Sequence, residues 1–253
     1  MLRTAIPGLK KILDSDPERG TTILVTGDAG TLKTSFVLGV MSNYLRKQQK
    51  EVGLFVTIDE NRDNLLRYAQ KMGMKIPRSL FFSDIASFRM ELGGNNPAHM
   101  HSAMYWEQVE HLMLRNVERI QKRYKMDKKM LENETKPSVY ALDSLNGLLA
   151  MSDVLDANGN LISPINVHSK LFELLYLLKE NDAVNFLVYE SSGHSSVSEF
   201  KAVDGIIELG IIDIKGVHKR YIQIKKMKGV RHKLEKYMID VRKNGLEVVG
   251  RII

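Results

Sequence analysis

A glycine-rich stretch near the start of the chain has the residue types that phosphate binding requires. It reads Gly27-Asp28-Ala29-Gly30-Thr31-Leu32-Lys33-Thr34, and Ser35 follows. Glycines let a backbone wrap around phosphates, a lysine can bind the β- and γ-phosphate oxygens, and a threonine hydroxyl can bind Mg²⁺. The pattern therefore predicts that residues 27–35 form a P-loop. The alternative is an ordinary turn between a strand and a helix.

Leu32 departs from the usual P-loop pattern, which has glycine at this position. A leucine side chain there could crowd the β-phosphate, or could point away if the φ angle at residue 32 is negative. We therefore expect nucleotide binding more firmly than hydrolysis, and any ATPase activity is expected to be weak.

Acidic residues follow two other apolar runs. Asp143 ends the run at residues 139–142, and Asp59-Glu60 end the run at residues 53–58. We predict that Asp143 and Thr34 hold Mg²⁺, and that Asp59 and Glu60 orient or deprotonate an attacking water, with Lys33 as the third catalytic candidate. Alternatively, Asp143 caps the next segment and the acidic pair is solvated at a helix N-terminus.

The elements that position these residues alternate along the chain. Short apolar runs predict strands at 23–25, 53–58, 80–82, 139–142 and 185–189. Helical periodicity covers 33–46, 61–72, with Asn61 as N-cap, 105–124 and 166–179. Strands separated by helices indicate an α/β fold with a mostly parallel sheet flanked by helices.

The C-terminal part contains strands without intervening helices, at residues 206–209, 221–226, 237–241 and 246–249. They predict an antiparallel extension of the same sheet. No linker is visible, so residues 1–253 are expected to form one domain. Residues 122–136 and 153–164 have the composition of insertions.

The composition excludes several classes of protein. The chain has 253 residues and no cysteine, so a disulfide scaffold, a thiolate zinc site and a cysteine nucleophile are ruled out. Its longest apolar runs fall far short of the roughly 20 residues that span a bilayer. We expect a soluble cytoplasmic protein. The net charge of +7 is compatible with a phosphate-bearing ligand but does not demand one.

Several further motifs join the P-loop in one combination. They are Ile6-Pro7-Gly8, Thr57-Ile58-Asp59-Glu60 followed by Asn64-Leu65-Leu66, Ala141-Leu142-Asp143-Ser144-Leu145, Ala202-Val203-Asp204-Gly205-Ile206-Ile207-Glu208-Leu209, and Lys226-Met227-Lys228-Gly229 with His232. This combination, spread over nearly the whole chain, resembles the KaiC family of the RecA-like ATPases.

The resemblance implies a RecA-like P-loop NTPase core and a homo-oligomeric ring, with six subunits as one possible size, in which ATP lies at each subunit interface. It implies that residues 27–35 bind phosphates and that Thr34 and Asp143 serve Mg²⁺. It also implies that Lys226, Met227, Lys228 and His232 reach the nucleotide of the neighbouring subunit. Asp59 stands where the family usually has the first of two glutamates, which, with Leu32, points to slow hydrolysis.

Three functions remain open at this stage. The first is a slow Mg²⁺-dependent ATPase that acts as a regulatory or signalling switch. The second is a non-hydrolysing pseudo-ATPase scaffold for a larger machine, whose protein partner the sequence does not name. The third, a DNA-binding recombinase, is disfavoured because the loop at 190–203 has Lys201 as its only definite cation.

Overall fold

A computed structural model describes residues 1–48, 50–87, 136–152, 172, 174–176, 178–180, 182–191 and 202–252. The predicted helix at 105–124 and the insertion at 153–164 lie outside these residues, as does the insertion at 122–136 except for its last residue. The predicted helix at 166–179 is described at residues 172, 174–176, 178 and 179, which are helical. Residues 192–201 of the loop considered for DNA also lie outside.

Helices and strands alternate from the start of the chain to its last third. The helices are α1 (Leu2–Ala5), the short 3₁₀ helix Leu9–Lys11, α2 (Lys33–Leu45), α3 (Arg62–Lys71) and α4 (Leu145–Ser152). The strands are β1 (Thr22–Gly27), β2 (Gly53–Thr57), β3 (Leu80–Asp84), β4 (Val139–Asp143), β5 (Val184–Glu190), β6 (Gly205–Ile214), β7 (Val217–Met227), β8 (Tyr237–Arg242) and β9 (Gly245–Arg251).

The described strands form one sheet in the order β3-β2-β4-β5-β1-β6-β7-β8-β9. The pairs from β3 to β6 are parallel, and those from β6 to β9 are antiparallel. The predicted fold class, a mostly parallel sheet with helices and a C-terminal antiparallel extension, is confirmed.

Strand β6 differs from the prediction, which placed residues 206–209 wholly in the antiparallel extension. Its first half pairs in parallel with β1, with Leu24 opposite Ile206, and only its other edge pairs antiparallel with β7. The connections explain the difference. Residues 191–204 are enough for a crossover from β5, whereas β6 and β7 are joined by a tight turn at Lys215-Gly216, whose φ angles of 54° and 79° suit a hairpin.

Two apolar layers cover the sheet. One contains α1, α2 and α3, and the other contains α4 and the helical residues Leu174, Leu175 and Leu178. Strands β2 and β4 are buried at every residue, which explains why both are apolar up to their last residues, Thr57 and Asp143. None of the helices described has the length and apolarity that a bilayer crossing requires.

The start of α3 is capped as the sequence predicts. The side chain of Asn61 accepts a hydrogen bond of 2.9 Å from the amide of Asn64. This bond satisfies one of the amides that the first turn of a helix leaves without a partner. The cap fixes where α3 begins and so places Asp59 and Glu60 in the short link between β2 and α3.

Candidate functional site

The turn between β1 and α2 has the shape of a phosphate-binding loop. Gly27 and Gly30 have φ angles of 147° and 76°, and a Cβ atom on Gly27 would lie 1.8 Å from the carbonyl oxygen of Leu209. The first helical hydrogen bond runs from the Phe36 amide to the Leu32 carbonyl, at 2.8 Å. The amides of Lys33, Thr34 and Ser35 therefore precede the hydrogen-bonded part of α2, where a helix attracts anions.

Two side chains of the turn donate hydrogen bonds to the backbone of the same turn. The hydroxyl of Thr31 and the ammonium of Lys33 both donate to the carbonyl oxygen of Asp28, each at 2.7 Å. Asp28, Ala29 and Gly30 form the exposed tip. The Ser35 hydroxyl contacts the sulfur of Met72 at 3.3 Å, so Ser35 can serve the turn through its amide.

Leu32 has a φ angle of 74° and a ψ angle of 25°. The negative φ under which its side chain could point away is therefore not found. The turn requires a left-handed residue directly before α2, and a non-glycine residue in that conformation costs about 1–2 kcal/mol. The side chain is half-buried, packs against the core and forms part of the wall of the adjoining cleft.

A cleft of about 540 Å³ lies at the carboxyl ends of the parallel strands. It brings together seven of the predicted site residues, which are Gly30, Leu32, Lys33, Thr34, Asp59, Glu60 and Asp143. Its described lining is Gly30, Leu32, Lys33, Thr34, Asp59, Glu60, Asp143, Ser144, Asn146, Val188 and Glu190. This size lies within the range of small-molecule sites.

Asp143 is a buried carboxyl group at the end of β4. Burial raises its pKa from the ordinary 3.8 to about 6; a hydrogen bond from Thr34 and the charge of Lys33 oppose the rise, and Asp59 adds to it. A buried carboxylate beside a hydroxyl offers the oxygen ligands that Mg²⁺ prefers. Within the described residues, no three His, Asp or Glu side chains form a ready-made metal site. This donor set thus fits an ion that takes its other ligands from phosphates and water.

The two carboxylates after β2 are held differently. Asp59 is exposed and its Oδ2 accepts a hydrogen bond from the Ser144 hydroxyl. Helix α4 can approach Asp59 because residue 147 is glycine: a Cβ there would lie 2.2 Å from Asp59 Oδ1. Glu60 Oε1 accepts from the Asn61 amide at 3.1 Å and from Asn64 Nδ2 at 2.6 Å. Glu60 thus lines the cleft and also contacts the first turn of α3.

Sequence reasoning missed three residues near the turn. Glu190 Oε2 lies 3.4 Å from Lys33 Nζ, and Asn146 exchanges two hydrogen bonds with the backbone of Glu190. Arg220 of β7 donates from Nε to the Gly30 carbonyl at 3.3 Å. Glu190 ends an apolar strand, the same signal that identified Asp143. No local pattern indicates Arg220, because its contact depends on how β7 lies beside the turn.

The four residues expected to act on a neighbouring subunit do not line this cleft. Lys226 Nζ donates to the Val203 carbonyl at 2.7 Å, and Lys228 Nζ pairs with Asp204 Oδ1 at 2.9 Å. Met227 is buried, as strand alternation predicts. His232 Nδ1 lies 3.0 Å from the carbonyl oxygen of Val230. Lys226 and Met227 end β7, Lys228 lies in the turn that follows, and His232 forms an isolated β-bridge with Leu13.

Comparison with known proteins adds a decisive observation to this geometry. A family model described as the KaiC ATPase matches residues 2–251. The chain belongs to the KaiC ATPase family. Membership in this family of P-loop NTPases supports ATP binding, and the family usually forms oligomeric rings.

Individual relatives are distant but cover nearly all of the chain. A UPF0273 protein of Thermotoga maritima is 22% identical over 254 residues, 98% of this chain and 95% of that protein. The circadian clock oscillator protein KaiC of Parathermosynechococcus lividus is 23% identical over 97% of this chain but 42% of its own length. The structure of a KaiC-like protein from Pyrococcus horikoshii OT3 has a TM-score of 0.66, 21% identity and 97% coverage of both chains. This structure supports the RecA-type fold.

We predict that replacing Asp143 with asparagine stabilises the nucleotide-free protein at alkaline pH. Because the folded-state pKa of about 6 exceeds the ordinary 3.8, ionisation of Asp143 opposes folding. The free-energy cost of ionising Asp143 is fully present above its folded-state pKa of about 6, and it disappears as the pH falls below 3.8. Asp143→Asn should raise the free energy of unfolding by on the order of 2–3 kcal/mol at pH 8.

Chemical denaturation at pH 8 and pH 4.5 measures this effect. The increase in the free energy of unfolding caused by Asp143→Asn should be clearly smaller at pH 4.5 than at pH 8. The effect of the exposed control Asp182→Asn should not depend on pH in this way. A loss of stability at pH 8, or an equal gain at both values, would contradict the prediction.

Proposed function

We propose that this chain is a Mg²⁺-dependent ATP-binding protein that hydrolyses ATP slowly and serves as a regulatory or signalling switch. One observation carries the proposal. The buried ammonium of Lys33, the Thr34–Asp143 pair and the amino end of α2 face one cleft, beside the carboxylates of Asp59 and Glu60. Phosphate ligands, a metal ligand and groups for positioning water thus occur together.

Each part has a distinct task in this proposal. The amides of residues 33–35 and the ammonium of Lys33 bind the β- and γ-phosphates, while Thr34 and Asp143 hold Mg²⁺. The chemistry that Mg²⁺ would supply there is neutralisation of phosphate charge. The described lining has four carboxylates, from Asp59, Glu60, Asp143 and Glu190, and one lysine. This imbalance repels a bare triphosphate, so binding should depend strongly on the divalent ion.

The hydrogen bonds of the two catalytic candidates support slow turnover. Asp59 is bonded to Ser144, and Glu60 is bonded to the first turn of α3. A carboxylate must reach the attacking water to orient or deprotonate it, and these contacts compete with that task. Asp59 is also one methylene shorter than glutamate. We assign Glu60 and Asp59 to the water, with Glu60 as the side chain of longer reach.

A non-hydrolysing scaffold for a larger machine is the second candidate. Leu32 favours it, because its side chain forms part of the cleft wall where the usual pattern has glycine. In that case ATP is bound and retained, and the bound state is read by a protein partner. Retention of ATP without phosphate release would distinguish this function from the switch with turnover.

In a ring of subunits, residues at and after the end of β7 could contact the nucleotide of a neighbouring subunit. We propose that Lys226, Met227, Lys228 and His232 approach the nucleotide of the adjacent subunit, where a cation stabilises charge on the γ-phosphoryl group. Their position outside the cleft of their own subunit supports this assignment. Assembly into a ring, its size and a location in the cytoplasm stay predictions.

Lys33→Ala tests ATP binding directly. Because Lys33 is the cation that faces the proposed phosphate site, its removal should weaken MgATP binding more than about 100-fold, measured by calorimetry. The exposed Lys71→Ala should keep the parent affinity. Parent-like affinity in Lys33→Ala would reject the site.

Two substitutions of Leu32 test whether this residue limits turnover. Leu32→Gly removes both the side chain and the left-handed strain, so phosphate release should rise severalfold. Leu32→Ala keeps the strain and removes most of the side chain, so an equal rise in both variants would identify the side chain as the cause. No rise in either variant would show that Leu32 is not the limit.

Mixing two inactive variants tests the action between subunits. Lys226→Ala should lower turnover while keeping ATP affinity, and Lys33→Ala should lose binding. In randomly mixed rings of equal composition, about a quarter of the sites combine an intact Lys33 with an intact neighbouring Lys226. Phosphate release should therefore recover to about that fraction of the parent rate. Full activity of Lys226→Ala alone, or no recovery on mixing, would refute the assignment.

A further inference from the structure

We propose that Glu190 is a built-in competitor of phosphate. Its carboxylate pairs with the Lys33 ammonium in the nucleotide-free protein and gives way when a triphosphate binds. The inference rests on the proposed nucleotide site and assigns Glu190 a role in setting the affinity of that site and its preference for triphosphate over diphosphate.

The geometry of the pair supports the exchange. Lys33 is 8% exposed and its Nζ lies 2.7 Å from the Asp28 carbonyl oxygen and 3.4 Å from Glu190 Oε2, whereas the Glu190 side chain is 49% exposed. A cation buried at the amino end of a helix is unfavourable and needs anionic or carbonyl partners. The lysine is therefore the fixed member of the pair, and the glutamate can leave by rotating into solvent.

The backbone of Glu190 stays in place during such an exchange. Its amide donates to Asn146 Oδ1 at 2.6 Å, and its carbonyl accepts from Asn146 Nδ2 at 2.9 Å. The next residue, Ser191, donates from its amide to the Gly27 carbonyl at 3.1 Å and from its hydroxyl to Asp28 Oδ1 at 3.4 Å. These bonds hold the end of β5 between the phosphate-binding turn and α4. Only the side chain has to move.

Charge gives the exchange its selectivity. The carboxylate of Glu190 and a phosphate compete for the same ammonium and repel each other at short distance. A ligand must therefore supply enough negative charge to replace the glutamate. ATP carries one phosphate more than ADP and so displaces the glutamate more effectively. Competition from Glu190 should therefore weaken ADP binding more than ATP binding.

Calorimetric titrations with MgATP and MgADP test the proposal. Glu190→Gln keeps the size and polarity of the side chain but removes its charge, so it should tighten MgATP binding by about 3–10-fold. The preference for MgATP over MgADP should also fall relative to the parent, and a rise in that preference would overturn the proposal. Glu247→Gln is a matched control, because Glu247 is 45% exposed and pairs with Arg242 at 3.8 Å outside the cleft lining. It should change neither affinity more than twofold.

The outcomes separate this proposal from the proposed function. If the parent binds no MgATP, the nucleotide site itself is wrong. If the parent binds MgATP and Glu190→Gln has the same affinity and the same ratio, the site stands and the competitor role is overturned.

A second measurement needs no nucleotide. Unfolding of the parent, Lys33→Met, Glu190→Gln and the double variant forms a cycle, in which the double variant should lose less stability than the two single variants together. If the changes in the free energy of unfolding of the two single variants add up to that of the double variant, Lys33 and Glu190 are not coupled and the proposal is overturned. This comparison remains valid even if one single variant is poorly stable.

Discussion

The site depends on the burial of two opposite charges, Lys33 and Asp143, close to the amino end of α2. A cation at that end opposes the helix dipole, and a buried carboxylate opposes its own ionisation. The protein offsets the first cost with the Asp28 carbonyl and the Glu190 carboxylate, and it meets the second with the Thr34 hydroxyl and a pKa of about 6. Both charges become better compensated when phosphates and a divalent cation enter. The nucleotide-free site therefore keeps two poorly compensated charges, and we propose that a Mg²⁺-bound triphosphate compensates both of them.

The sheet supplies the register that brings these charges together. Gly27 of β1 lies opposite Glu190 of β5, and Asp143 of β4 lies opposite both Thr57 of β2 and Val188 of β5. Parallel strands end at one edge, so residues far apart in sequence meet around the turn before α2. Glycine at residue 147 then allows α4 to pack against Asp59. The antiparallel strands add Arg220 at the Gly30 carbonyl from the other side. The grouping of these side chains in one cleft is thus a consequence of strand order as much as of residue type.

Local patterns predict much of this arrangement. Lys33 and Thr34 follow a glycine-rich turn, Asp143 ends an apolar strand, and Asn61 caps α3, so the immediate neighbours of each residue are enough to predict its position. Features that depend on tertiary packing were not identified. The φ of 74° at Leu32 is imposed by the turn as a whole, and the parallel pairing of β6 depends on a crossover. The pattern that predicts Asp143, an acidic residue at the end of an apolar strand, also fits Glu190, but its pairing with Lys33 depends on β5 lying beside β1.

We propose that a triphosphate lies against the first amides of α2 and the ammonium of Lys33. The most direct measurement is an experimental density map of the protein with Mg²⁺ and a slowly hydrolysed ATP analogue. We predict density for three phosphates along residues 27–35, with a metal ion between Thr34 and Asp143 and the carboxylate of Glu190 turned away from Lys33. A map in which the turn contains no ligand, the Leu32 side chain fills the cleft and the Lys33–Glu190 pair remains intact would contradict the account.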